Sequence, residues 1–72
     1  MREVMYRELG RRIRARREAL GLSQAELGAR LRPDQTRASI ANIEAGKQRV
    51  MLHTIPALAR ALRWTPRKLM QW

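Results

Sequence analysis

The sequence predicts an all-α fold, a compact domain of five short helices. Three observations carry that expectation. Apolar residues recur at helical rather than alternating spacing, β-branched runs are nearly absent, and side chains suited to helix caps precede the periodic segments. Seventy-two residues make one domain at most, near the lower limit for a self-sufficient core. With no cysteine there is neither a disulfide nor a thiolate metal site to staple it. Stability must come from close helix packing, or from a second copy of the chain.

The first helix is expected from about Val4 to Leu20. Leu9, Ile13 and Leu20, with Tyr6 near them, form one stripe, and arginines crowd the remaining surface. Gly21 suits the left-handed position that follows a helix. "SQAE", residues 23–26, reads as a capping box: the Ser23 hydroxyl accepts from the Glu26 amide while the Glu26 carboxylate reaches back. That opens a second helix over about Gln24 to Leu31, with Leu27 and Leu31 inward, and Pro33 prevents its continuation. Thr36 is the expected N-cap of a third helix over Arg37 to Ala45, with Asp34 as the rival cap and Gly46 as the stop. A fourth helix runs from near Thr54 to Leu62, placing Pro56 in its first turn, where a missing N–H is harmless. Thr65 and Pro66 open the fifth.

Charge narrows the function. Sixteen Lys and Arg oppose six Asp and Glu, a formal net charge of +10, and the sequence pI is ≈ 11.9. So large a surplus on so small a body calls for a polyanionic partner. Arginine dominates, and its planar fork suits phosphate and base edges better than an ammonium. No apolar stretch approaches the length of a bilayer span and no signal-peptide pattern opens the chain, so no membrane partner is expected and the location expected is cytoplasmic. Catalysis and metal binding are not expected either. His53 is the single histidine, without the partners a metal site or an acid–base pair needs, and reads as a loop or helix-start residue; no cofactor is implied. Trp64 and Trp72 could stack on bases, but their place near the end of the chain favours packing or subunit contact.

Two short helices joined by a turn inside a basic all-helical body are the ingredients of a helix-turn-helix. The segments "LGLSQAELGARL", "TRASIANIEAGK" and "LARAL" resemble the helix-turn-helix domain of the lambdoid phage repressors. That broad family includes restriction–modification controller proteins and many antitoxins. The resemblance covers about residues 9–70 and implies a lambda-repressor-like fold with the helix-turn-helix at its centre. "RPDQTR" makes the turn two residues longer than the usual pattern, and Pro56 stands where an aliphatic residue is common.

On a helical wheel, Glu44 lies beside Ile40 and Ile43, so one of only six acids should face the core. Periodicity allows Arg16 or Arg17 as its partner; the resemblance implies a structural ion pair between Arg17 and Glu44. Arg37, Ala38 and Asn42 then lie on the outer face with Ala41 and Ala45. Small side chains there permit close approach to a groove, Arg37 suits guanine, Asn42 adenine, and Ala38 a thymine methyl. The family's base-reading positions match the same three residues. Phosphate contacts are expected from Gln24 at the start of the second helix, from Thr36 before the third, and from Lys47, Gln48 and Arg49 in the loop after it. The expected protein is a transcriptional regulator that binds double-stranded DNA sequence-specifically. It acts as a homodimer on a near-palindromic operator, with Met70 and Trp72, and with them Trp64, at the dimer contact. The competing expectations are an antitoxin-type module that holds a protein partner such as a toxin, and a non-specific basic nucleic-acid binder.

Overall fold

The computed structural model describes the backbone of residues 2–71 and the side chains of residues 4–71. Its five helices are α1 Arg2–Ala19, α2 Gln24–Arg30, α3 Arg37–Glu44, α4 Thr54–Ala61 and α5 Pro66–Leu69. No strand occurs among the described residues. The long α1 is the spine: α3 packs against it, α5 meets it from another side, α2 pairs with α3, and α4 pairs with α5.

Local chemistry sets most boundaries. Ser23 Oγ accepts from the Glu26 amide at 3.0 Å, and Glu26 Oε1 accepts from the Ser23 amide at 2.8 Å. Both halves of the capping box are therefore closed. Thr36 caps α3 through the Ser39 amide, and Thr65 caps α5 through the Lys68 amide. At the other end of α3, the Gly46 amide bonds to the Ile43 carbonyl and the Lys47 amide to that of Asn42, a Schellman closure with Gly46 at φ 74°. The expected ends of α2, α3 and α4 overrun by one residue. Leu31, Ala45 and Leu62 are the C-caps, where the chain leaves the helix.

The core joins Leu9 and Ile13 of α1 to Leu27 and Leu31, to Ile40 and Ile43 of α3, to Ile55, Leu58 and Leu62, and to Leu69. Two helical glycines let backbones touch. A Cβ on Gly10 would lie 2.3 Å from the Ile43 carbonyl oxygen and 2.5 Å from that of Glu44, so the end of α3 rests directly on α1. A Cβ on Gly28 would lie 2.2 Å from the Gln35 carbonyl oxygen. The Gly28 carbonyl in turn accepts from the amides of Leu31 and Gln35, tying the lengthened turn back onto α2. The extra residues of "RPDQTR" are taken up by a turn that stays pinned where α3 begins.

Arginines of α1 close the two C-terminal helices. Arg16 Nε donates to the Leu62 carbonyl at 3.0 Å, and Arg12 donates through Nε and Nη2 to the Leu69 and Lys68 carbonyls at 3.1 and 2.8 Å. Cations there satisfy orphan carbonyls and meet the negative end of the helix dipole. Their guanidinium carbons stand 5.2 and 5.4 Å from the Trp64 ring centre, so Trp64 packs within its own chain.

Candidate nucleic-acid interface

The orientation of α3 follows from what lies beneath it. Ile40, Ile43 and Glu44 are buried, while Arg37, Ala38, Asn42 and Ala45 are exposed and Ala41 is half-buried. Glu44 has its carboxylate oxygens fully engaged. Arg17 Nε donates to Oε2 at 2.6 Å, Arg17 Nη2 to Oε1 at 3.1 Å, and Gln24 Nε2 to Oε1 at 3.1 Å. Arg17 Nη1 also donates to the Leu22 carbonyl at 2.8 Å. The bonded carboxylate raises the Arg17 pKa above the usual arginine value, against the opposing effect of burial. Arg16, the other partner allowed by periodicity, is instead on Leu62.

The outward face of α3 carries a single charge, the exposed Arg37, on a surface of alanine and one amide. Nothing there obstructs close approach. Around it, Thr36 is exposed at the start of α3, and Lys47 and Arg49 are exposed in the loop that follows. Gln24 and Gln48 are half-buried and already bonded inside the protein. One N–H of Gln24 goes to Glu44, and Gln48 Nε2 donates to Ser39 Oγ at 3.0 Å. The Ser39 hydroxyl in turn donates to Gln35 Oε1 at 3.0 Å. This Gln48–Ser39–Gln35 chain ties the loop after α3 to the turn before it. Sequence reading missed it, because no local spacing marks three polar residues that meet only after folding.

Residues 8–71 match the family model described as "Helix-turn-helix domain". The chain belongs to this helix-turn-helix family. It is a DNA-binding regulator by type, as are the solved structures it is similar to, and not an enzyme. One of those is the restriction–modification controller protein C.AhdI from Aeromonas hydrophila, at 34% identity and a TM-score of 0.84, covering 93% of this chain and 94% of that one. Another is the P22 c2 repressor protein, solved in complex with the synthetic operator 9T in the presence of Tl+, at 32% identity and a TM-score of 0.77, covering 88% of this chain and 92% of that one. No curated protein sequence matches the chain. In this helix-turn-helix, α2 and α3 are the two motif helices, and the exposed side of α3 is the candidate reading surface. No helix among the described residues is long and apolar enough to cross a membrane.

Met70 is 40% exposed, and Trp72 lies outside the described residues. Met70 borders an open groove of ≈ 440 Å³ whose other walls include Met5, Tyr6, Arg49, Met51, Leu52 and Ile55. Met51 and Leu52 are 62% and 87% exposed.

Proposed function

We propose that this chain is a sequence-specific transcriptional regulator that inserts α3 into the major groove and binds as a homodimer to a near-palindromic operator. The observation that carries the reading is the division of α3 into a buried side holding Ile40, Ile43 and Glu44 and an outward side holding Arg37, Ala38 and Asn42. Arg37 takes the guanine O6/N7 pair, Asn42 an adenine, and Ala38 a thymine methyl. Lys47 and Arg49 hold phosphates on one side of the helix, with Gln48 held beside them by Ser39. On the other side, Gln24 keeps one amide N–H beyond the one given to Glu44, and the exposed Thr36 is within the same approach.

One such module makes few base contacts, and two copies set about one helical turn apart combine them. The apolar groove at Met70, Met5, Met51 and Leu52 supports self-association at this end of the molecule. Selection of bound duplexes from a random pool tests the whole reading. The expected product is an inverted repeat with half-sites about ten base pairs apart. A pool that returns no preferred sequence would leave only non-specific binding. A protein that purifies in stoichiometric complex with the chain, with the duplex pool unenriched, would favour the antitoxin-type module.

A further inference from the structure

The six acids of the chain all fall within its first 44 residues. Residues 45–72 contain Lys47, Arg49, Arg60, Arg63, Arg67 and Lys68 and no Asp or Glu. Lys47 and Arg49 belong to the loop beside the reading helix. The other four fall between residues 60 and 68, where α4 ends and α5 runs; all four are exposed, and none makes an ion pair among the described residues. Arg12 and Arg16 reach the same place from α1, bonded to the Lys68, Leu69 and Leu62 carbonyls. Helix C-termini attract some positive charge. Two arginines already occupy those carbonyls, so the four outer cations have no such partner left to explain them.

This cluster does not share a side with the reading helix. On α1, Gly10 and Arg17 meet α3, whereas Arg12 and Arg16 meet the ends of α4 and α5. At 100° per residue these two pairs point roughly 130° apart around α1. The body measures only 30 × 23 × 22 Å. Faces so divergent on so small a body cannot both lie along one straight duplex.

We propose that Arg60, Arg63, Arg67 and Lys68 form a second phosphate-binding face that holds the backbone of a separate DNA segment while α3 occupies its site. The inference rests on the DNA-binding reading above. Three of the four cations are guanidinium forks, which match phosphate oxygens in pairs, and the chain is already a DNA-binding regulator by type, so the polyanion at hand is DNA. The face carries no base-reading feature, so the second segment is held without regard to its sequence.

The test loads wild-type protein on an immobilised 24-base-pair duplex recovered from the random-pool selection above and then adds a fluorescent 24-base-pair duplex of unrelated sequence. Wild type captures the second duplex, and capture falls with salt at a log–log slope of about −3 to −4 for four phosphates. The variant R60Q/R63Q/R67Q/K68Q loads on the first duplex with affinity within about threefold of wild type and captures at least tenfold less of the second. Its circular dichroism and melting temperature establish that it is folded. If the variant captures as much as wild type, bridging comes from two reading heads of a dimer and the second face is refuted. Loading without capture by wild type refutes it as well, and leaves an acidic protein as the partner of these cations. Failure of wild type to load at all would overturn the DNA reading itself and the proposal with it.

Discussion

Replacing Glu44 by alanine removes the acceptor for three hydrogen bonds, two of them from a guanidinium that is itself buried. The Glu44 side chain is 3% exposed and that of Arg17 11%, so water cannot readily replace the lost partner. Arg17 keeps its bond to the Leu22 carbonyl, which carries no net charge, and a 3.9 Å approach to the exposed Glu18 carboxylate, too long and too well hydrated to replace Glu44. Breaking a buried pair on one side costs about 3–5 kcal/mol. A chain of this length has about 4–11 kcal/mol of stability in all. Glu44→Ala should therefore lose about a quarter or more of its folding free energy and melt more than about 10 °C lower. Urea titration in the cold gives the value even if the variant is partly unfolded at room temperature. The double variant Arg17→Met/Glu44→Leu separates the pair's two effects. A hydrophobic replacement of a buried pair is neutral or stabilising, so the double variant should recover to within about 1 kcal/mol of wild type or exceed it. DNA affinity should not recover with it, because methionine and leucine pack without fixing the rotation of α3. A Glu44→Ala loss under about 1 kcal/mol would mean that the pair is hydrated in solution. Full DNA affinity in the double variant would show that the pair does not orient the reading helix.

Gly10→Ala should destabilise despite the helix preference of alanine, worth about 1 kcal/mol, because the new Cβ meets backbone of α3 rather than a movable side chain; a raised urea midpoint would contradict the close approach of α1 and α3. Arg63 holds φ 59° at the end of α4, so Arg63→Gly should raise stability by about 0.5–1 kcal/mol, read as a higher melting temperature, while weakening capture of a second duplex. The Glu26 carboxyl is held below its ordinary pKa, first by the Ser23 amide and then by the Ser23 hydroxyl. The unfolded chain then binds more protons than the folded one, so this contribution is complete above the ordinary carboxylate range and is lost as pH falls below about 5. Glu26→Gln should flatten that part of the stability profile, measured by urea unfolding at stepped pH, and an unchanged acid limb would remove Glu26 as a source. Arg37→Ala should cost about 1–3 kcal/mol at one position of each half-site, and Lys47→Ala should weaken all duplexes alike and lower the salt slope by about one. Uniform weakening by the first, or an unchanged slope for the second, would reassign those residues.

What could be read from the sequence is what local bonds decide. Ser23 with Glu26, Thr36, Thr65 and the glycines at 21 and 46 each act within a few residues of themselves, and the helix boundaries follow them closely. The burial of Glu44 was legible for a related reason, since its neighbours Ile40 and Ile43 fix its side of a regular helix. Its partner was not, because Arg16 and Arg17 flank the apolar stripe of α1 at similar angles on opposite sides, and only the positions of α3 and α4 send Arg17 to Glu44 and Arg16 to Leu62. The same limit hid the roles of Gly10 and Gly28, whose meaning depends on which backbone arrives against them. It also hid the internal bonds of Gln24 and Gln48, which from composition alone are free surface amides.

An isolated helix of eight residues is not stable in water, so the direction in which α3 presents Arg37 and Asn42 must be imposed from outside. Each end has its own constraint. At the start, the Gly28 carbonyl holds the Gln35 amide and Thr36 caps the first turn. At the end, Gly10 admits the Ile43 and Glu44 carbonyls, Gly46 sits against the Arg7 backbone, and Arg17 grips Glu44. The hydrogen-bonded chain through Gln35, Ser39 and Gln48 joins the two ends across the side of the helix. The direct links run from α3 to α1 and α2, so a displaced α3 breaks bonds on both neighbours together. On the proposed reading, a surface with few base contacts per copy needs that rigidity, because a small rotation of the helix would carry Arg37 and Asn42 off their base edges together.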